Sequence, residues 1–538
     1  MQPVLNIEDV KRVEVALTRV GVSVSELMHR AGYAAAQEVM ALPEAETVVV
    51  LVGTGNNGGD GWVAAETLKA KGRAVQVVTP VAPADLRGDL ARMVAQGAAA
   101  NGVPIIVGPS RSELEALLDK TDVVLDCMLG TGFEGALRTP YDIWVDCLNA
   151  SGARVVSVDV PSGLSAQTGA APGACVVADM TVTMLALKPG LLADKGRDVC
   201  GSIVVAPLAE QTEQLVSEAE PVAWRAELED YLDVLIEPSN AVDKFTRGSV
   251  LVVGGSTRFP GAPVLAAKAA ARAGAGYVTL AVPESIAALV QTQVLEIPVV
   301  GLPCDAEGTL SEDAAERVAR MAEANTATLV GPGLRVTGGT AAVVTALINS
   351  NAPLVVDADG LNSLARSTTG QLDEYPELLR RSQPLVLTPH RRELGRLVGL
   401  ENAPESLVEQ IEAARRIIWA NGGSELAIVA KGSATGCVGV GEAILPKPGP
   451  AALATAGSGD VLGGIIASLI AQKGGSVDDL PLLCALACEF HGYAASIAAE
   501  RYGSRGVMAR DIIEVLGLAA DTIEEHCYYP GAAMPAGV

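Results

Sequence analysis

Thr47-Val48-Val49-Val50-Leu51-Val52-Gly53-Thr54-Gly55-Asn56-Asn57-Gly58-Gly59-Asp60-Gly61 runs from an unbroken apolar strand into a glycine-rich exit. From it the chain alternates strand and helix, with further strands over 75–78, 105–107, 123–127 and 155–158. Segments 180–187 and 203–207 read as closing edge strands. That alternation predicts an α/β fold with a mostly parallel, doubly wound sheet. Upstream, Ile7, Val10, Val13, Leu17 and Val20 recur at helical spacing. Ser23 and Glu26 then make a capping-box pattern ahead of Leu27, Ala31, Ala34 and Ala35.

At 538 residues the chain is too long for one ordinary domain, and two or three are expected. A 49% hydrophobic, 19% charged composition describes a packed globular protein. The net charge of -24 argues against nucleic acid or an anionic membrane as partner. Any phosphate must therefore be held by local N–H groups and a few cations. Nine cysteines without a C-x-x-C pair read as reduced, mostly buried thiols of a cytosolic protein. The histidines (His29, His390, His491, His526) never fall at H-x-x-x-H spacing, so a His-rich zinc site is not expected. No apolar signal core opens the chain, and no segment reads as long and apolar enough to span a bilayer. A soluble, cytoplasmic protein is expected.

In a doubly wound sheet ligands sit at the carboxyl ends of strands. The exit Gly53–Gly61 contains G-x-G-x-x-G, but the next strand ends Val77-Val78-Thr79-Pro80 without an acid, which disfavours an ordinary NAD-dependent dehydrogenase. A second exit carries Asp126 and then Gly130-Thr131-Gly132-Phe133-Glu134-Gly135, and a third reads Asp159-Val160-Pro161-Ser162-Gly163. Asn57, Asp126 and Ser162 offer only oxygen, which suits a hard cation. Each alone is equally a turn residue; three polar exits of one sheet favour a site. Lys188, in Leu187-Lys188-Pro189-Gly190, is either a further candidate or a solvated strand-end lysine.

Together with Leu27-Met28-His29-Arg30-Ala31-Gly32, these exits resemble the YjeF N-terminal family, the NAD(P)HX epimerases, over about residues 1–210. The resemblance implies a Rossmann-like αβα domain that binds a hydrated dinucleotide. The implied contacts are Asn56, Asn57, Gly58, Gly59, Asp60, Gly130, Thr131, Gly132, Phe133, Glu134, Gly135, Ala136 and Asp159. It also implies a potassium ion on Asn57, Asp126 and Ser162. Inversion of a hemiaminal carbon needs a proton shuttle, a task open to Asp159.

An acidic stretch over 210–243, broken by Glu220-Pro221 and Glu237-Pro238, marks a domain boundary with a short helix expected over 227–235. A second series starts at Val250-Leu251-Val252-Val253-Gly254-Gly255-Ser256, with strands over 277–282, 328–330, 354–356, 385–387 and 426–429. No G-K dipeptide occurs, which excludes a Walker loop. The phosphate place is then Ala454-Thr455-Ala456-Gly457-Ser458-Gly459-Asp460, a glycine turn opening a buried helix. Asp460 either accepts a proton from a hydroxyl or merely caps the helix. At an ordinary pKa of about 3.9 it would be ionised without special tuning. Other exits are Gly331-Pro332-Gly333-Leu334, Asp357-Ala358-Asp359-Gly360-Leu361-Asn362, Thr388-Pro389-His390-Arg391-Arg392-Glu393 and Lys431-Gly432-Ser433-Ala434-Thr435. His390 also reads as a helix cap, Lys431 as a surface cation and Asp357 as a structural acid.

These motifs resemble the ribokinase-like superfamily through Gly457–Asp460, and more closely the ADP-dependent NAD(P)HX dehydratases, over about residues 240–520. The resemblance implies hydrated dinucleotide on Ala262, Gly333, His390 and Asp460, and adenine nucleotide on Lys431, Gly432, Ser433, Ala434, Thr435 and Gly459. ADP is then the co-substrate, and Mg2+ arrives with it. Two positions depart from the family. Asp243-Lys244-Phe245 replaces His-Lys-Gly, which is expected to alter substrate contacts at that edge, and Arg335 replaces a glycine beside Gly333.

The expected architecture is two three-layer αβα domains, over 1–215 and 244–520, with a linker over 216–243 and a loose tail over 521–538. The expected function is repair of NADHX and NADPHX, by inverting the R and S hydrates at C6 and dehydrating the S form with ADP, which yields AMP and phosphate. A homo-oligomer is the expected assembly. The competing reading is a ribokinase-like kinase of a vitamin or sugar alcohol with an N-terminal ligand-sensing module.

Overall fold

The valine run forms the strand Thr47–Val52, whose residues point alternately into two cores: Val48, Val50 and Val52 on one side, Val49 and Leu51 on the other. Burial on both faces explains why no polar residue interrupts it. In the computed structural model, which describes residues 1–236, 243–367, 381–421 and 425–528, this strand lies in a unit spanning Gln2–Val222. Its 7-stranded parallel sheet runs Ile105–Val107, Ala74–Thr79, Thr47–Val52, Val123–Cys127, Arg154–Val158, Met180–Met184, Ser202–Ala206. Met180–Met184 is thus an inner strand, and only Ser202–Ala206 closes that edge. Helices Val24–Ala41, Asn56–Ala70 and Asp89–Ala100 cover one face, and Arg111–Leu118 and Tyr141–Ala150 the other. Strand order reverses between Thr47–Val52 and Val123–Cys127, which opens a crevice at their carboxyl ends. A side chain at Gly53 would collide with Met128 O, so glycine is what lets these two exits touch.

The second unit, from Ala223 onward, holds parallel strands in the order Leu426–Ala430, Leu385–Leu387, Leu354–Val356, Ala327–Val330, Ser249–Val253, Tyr277–Pro283, Val299–Leu302. Gly436–Val438 and Ala443–Leu445 extend it as an antiparallel meander beyond Leu426–Ala430. Helices Ala262–Arg272, Ser458–Gln472, Leu480–Tyr502 and Ala509–Tyr528 share one continuous core with one sheet face. Ala314–Glu323, Gly338–Asn349 and Leu407–Asn421 lie outside that core and form the opposite layer.

The short helix expected over 227–235 is the 3-10 helix Leu228–Asp233, with Tyr231 fully buried. Two further expectations change. Helix Ala509–Tyr528 continues into the segment expected to be a tail, because Ile523 and Cys527 are buried; residues 529–538 lie outside the described residues, as does Glu237-Pro238. Leu480–Tyr502 is long and apolar enough to cross a membrane by length and composition, contrary to the sequence reading, but it is a mostly buried core helix. All nine cysteines are free, and only Cys304 and Cys488 are not buried.

Candidate functional sites

Helix Asn56–Ala70 begins directly after Gly55, so Asn56 and Asn57 occupy its first turn. A side chain at Gly58 would collide with Gly53 O, and one at Gly59 would lie 2.5 Å from the Met28 sulfur. These two glycines, with Met28, are therefore packing contacts that set the helix down on the strand exits. Above the exits lies a cavity of about 670 Å³. Asn56, Asn57, Asp60, Gly130, Thr131, Gly132, Phe133 and Asp159 line it. Gly58, Gly59, Glu134, Gly135 and Ala136 do not; Glu134 instead accepts from Ser165 Oγ at 3.2 Å. Lys11 and Glu14, from the opening helix Ile7–Arg19, complete the wall, and sequence reading passed over both.

Asp159 sits in the left-handed region at φ 70°, which aims its carboxylate at two partners. Thr131 N donates to Oδ2 at 2.8 Å, and Lys188 Nζ donates to Oδ1 at 2.9 Å. Lys188 is not solvated: its side chain is 0% exposed, and Thr183 Oγ1 and Met184 O accept its remaining protons. Burial opposes charge on Asp159, yet Lys188 and Thr131 outweigh it and hold the pKa below the ordinary value. Asp60 shows the opposite balance. Burial, Asp159 and Glu14 push it well above.

Asp126 is fully buried and accepts from Ser162 Oγ (2.6 Å), Ser162 N (2.9 Å), Ser157 Oγ (2.9 Å) and Met128 N (3.2 Å). Both polar atoms of the Asn57 amide are buried without a hydrogen-bond partner among the described residues. An unpaired buried amide costs about 1–3 kcal/mol. That orphaned oxygen suits an oxygen-coordinated cation, and the all-oxygen pair Asp126 and Ser162, hydrogen-bonded to each other, lies at the exits of the next two strands.

In the second unit, Gly457 adopts φ 87° and opens helix Ser458–Gln472, with Asp460 in its first turn. Lys431 Nζ donates to Asp357 Oδ1 at 2.8 Å, and Thr388 Oγ1 donates to the same oxygen at 2.7 Å. A Cβ at Gly459 would stand 3.4 Å from Lys431 Nζ, which places the cation against the helix start. Lys431 is accordingly an ion-paired group, held protonated because Asp357 outweighs the burial that opposes its charge. The surroundings of Asp460 shift it in a way its sequence context did not reveal. Burial, and then Asp357, push its pKa up to about 7, with Lys431 opposing.

His390 caps helix Arg391–Leu397: its Nδ1 accepts from Arg392 N (3.1 Å) and Glu393 N (3.2 Å). Burial and Lys431 lower its pKa, so the ring is neutral, and half of the side chain stays open. Lys431 N donates to Pro389 O at 2.9 Å, which ties the histidine loop to the turn carrying Gly432, Ser433, Ala434 and Thr435. Gly333, at φ 69°, abuts Ala262, whose Cβ would lie 3.2 Å from a Cβ built there. Arg335 takes φ 65°, the region a glycine reaches freely, and its N–H donates to Asp359 Oδ2 at 2.9 Å. The turn beside Gly333 thus keeps its shape. The 243–245 departure lies elsewhere, before strand Ser249–Val253, with Lys244 Nζ 5.0 Å from the Phe245 ring. Gly248 of that corner packs on Ala471, near the far end of the helix that Asp460 begins. Ala471 stands eleven residues after Asp460, roughly 16 Å along the helix at 1.5 Å per residue.

The family model described as YjeF-related protein N-terminus matches residues 24–190, and that described as NAD(P)H-hydrate dehydratase matches 250–517. The chain is 37% identical to the bifunctional NAD(P)H-hydrate repair enzyme Nnr of Salinibacter ruber, over 91% of each chain. The chain belongs to the bifunctional NAD(P)H-hydrate repair enzymes. Its identity to the repair enzyme of Escherichia coli K12 is 34%, over 95% of this chain and 92% of that one. A solved structure of the ADP/ATP-dependent NAD(P)H-hydrate dehydratase from Bacillus subtilis, co-crystallised with ATP and Mg2+, is 25% identical with a TM-score of 0.45, covering 55% of this chain and 97% of that one. Within the repair-enzyme family, each candidate site falls inside one matched segment, except for Lys11 and Glu14.

Proposed function

We infer that the chain is a bifunctional NAD(P)H-hydrate epimerase and dehydratase, with inversion in the Gln2–Val222 unit and dehydration in the unit from Ala223. The substrate is a reduced nicotinamide hydrated at C6, a hemiaminal. The ring nitrogen expels the hydroxyl, and water re-adds to the other face. Asp159, kept ionised by Lys188, steadies the positive charge and shuttles the proton. Asn57, Asp126 and Ser162 would hold potassium, whose charge offsets the carboxylates around the cavity.

In the dehydratase, Asp460 takes the proton of the C6 hydroxyl of the S epimer as that oxygen attacks the terminal phosphoryl of ADP. The N–H groups of Gly457 and Gly459 hold the developing charge, helped by Lys431. Phosphate then leaves far more readily than hydroxide would, restoring NAD(P)H and releasing AMP and phosphate. The nucleotide would carry Mg2+ with it; among the described residues no cluster of three His, Cys, Asp or Glu is suited to a metal. A cytoplasmic location and a homo-oligomeric assembly belong to the same reading.

One observation carries it furthest: a carboxylate tuned to about 7 at a glycine-opened helix start, beside an ion-paired lysine. The test supplies both hydrate epimers with ADP and Mg2+ and follows reduced-nicotinamide absorbance. Complete conversion with phosphate release is expected. Conversion that stops near half would remove the epimerase, and a stable phosphorylated product would turn the second unit into a kinase.

A further inference from the structure

Helix Ile7–Arg19 buries Val10, Val13 and Leu17 and turns Lys11, Glu14 and Thr18 towards the 670 Å³ cavity, three residues at helical neighbour spacing. It lies upstream of residue 24, where the family match begins. Glu14 stays solvent-accessible at the cavity wall, and no described residue hydrogen-bonds its carboxylate. Asp159 also borders the cavity, delivered there by the exit of strand Arg154–Val158. We propose that Glu14 is the general acid of C6 inversion, working with Asp159 on the hydrated nicotinamide; this rests on the epimerase reading of the cavity.

The charged groups acting on Glu14 are Asp159 and Lys188 from the strand exits, Asp60 from helix Asn56–Ala70, and Lys11 on its own helix. Partial burial and then Asp159 raise its pKa, while Lys188 and Lys11 oppose. Asp159 is shifted the other way. Two carboxylates in one cavity whose surroundings drive their pKa values apart divide into an acid and a base. Asp60 lines the same wall and its pKa is raised too, by burial, Asp159 and Glu14, but it is less open than Glu14 to the solvent that must return the proton.

The step balances without an outside reagent. Glu14 gives its proton to the C6 hydroxyl, the C6–O bond breaks as the ring-nitrogen pair forms N=C6, and water departs. Water then adds to the opposite face and loses a proton to Asp159. That proton returns to Glu14 through solvent, to which Glu14 is exposed and Asp159 partly so. No electron is gained or lost.

The experiment follows R to S inversion in the full chain by separating the epimers, without ADP so that dehydration is silent. Glu14→Gln should lower kcat by about 100-fold with KM changed less than threefold, and Glu14→Asp should recover part of that loss. Wild-type kcat should fall as pH rises through the Glu14 titration, and that limb should vanish in Glu14→Gln. Wild-type kcat in Glu14→Gln, or a rise in KM alone, overturns the acid role while an impaired Asp159→Asn keeps the epimerase site. Full activity in both variants overturns the site itself. Circular dichroism melts of Glu14→Gln and Glu14→Asp check that a loss is not unfolding.

Discussion

The ammonium of Lys188 lies 2.9 Å from Oδ1 of Asp159 and is closed to solvent, so the two form one buried charge pair spanning 29 residues of sequence. Lys188→Met leaves Asp159, itself 13% exposed, without its cation. Removing one partner of a buried pair costs about 3–5 kcal/mol, and the urea midpoint of the first transition should fall accordingly. The Asp159 pKa should rise, because its largest favourable charge is gone. The proposed role needs ionised Asp159, so the acid limb of inversion should move to higher pH. An unmoved limb would show that Lys188 does not set that charge.

Asp460 at about 7 gives dehydration a pH signature. As a base it works only when ionised, so kcat should climb about tenfold per unit below pH 7 and level above it. Asp460→Asn should cost at least about 100-fold and flatten the profile. Lys431→Met removes the charge that lowers this pKa, so its limb should shift upward.

Potassium should raise the melting temperature relative to sodium at equal ionic strength, since a ligand of the native state stabilises by mass action. Asn57→Ala should weaken the apparent potassium affinity at least about tenfold. Without potassium the same variant should melt no lower than the parent, because the orphaned amide is gone. A potassium-induced shift that survives Asn57→Ala would move the ion elsewhere.

Glu489 is buried and pushed up to about 7, first by burial, although Lys447 N and Tyr231 OH donate to its Oε1. Its ordinary value is 4.5, so between 4.5 and 7 the folded chain keeps a proton that the unfolded chain has released. The stability it contributes is complete below 4.5 and is lost by about pH 7, a few kcal/mol at most. Glu489→Gln should keep both acceptor contacts and flatten denaturation midpoints across that window. An equally steep decline in the variant would assign the pH dependence to other groups.

Local signals carried much of the fold. Apolar runs that end in glycine placed the strands, and the polar exits placed Asp126, Asp159 and Lys431 at the carboxyl ends of strands and Asn57 and Asp460 at helix starts. What stayed hidden depends on distant partners. Lys188 read as solvated because Asp159, far back in the chain, is brought to it only by a left-handed backbone turn. Asp460 read as an ordinary acid because Asp357 arrives through a neighbouring strand. Glu14 looked like one more polar residue of an amphipathic helix, since periodicity tells which side is apolar but not that the other side walls a cavity. The last helix outran its expected end because Ile523 and Cys527 are buried by tertiary packing.

The opposed settings of Asp159 and Asp460 have a metabolic consequence. Mild acidification titrates Asp460 first and throttles dehydration, while Asp159 stays charged and inversion continues. Damaged cofactor then accumulates as an interconverting mixture of both epimers, with neither stranded. When neutrality returns, the whole backlog can drain through the dehydratase, and one acid near pH 7 sets the pace of repair for both forms.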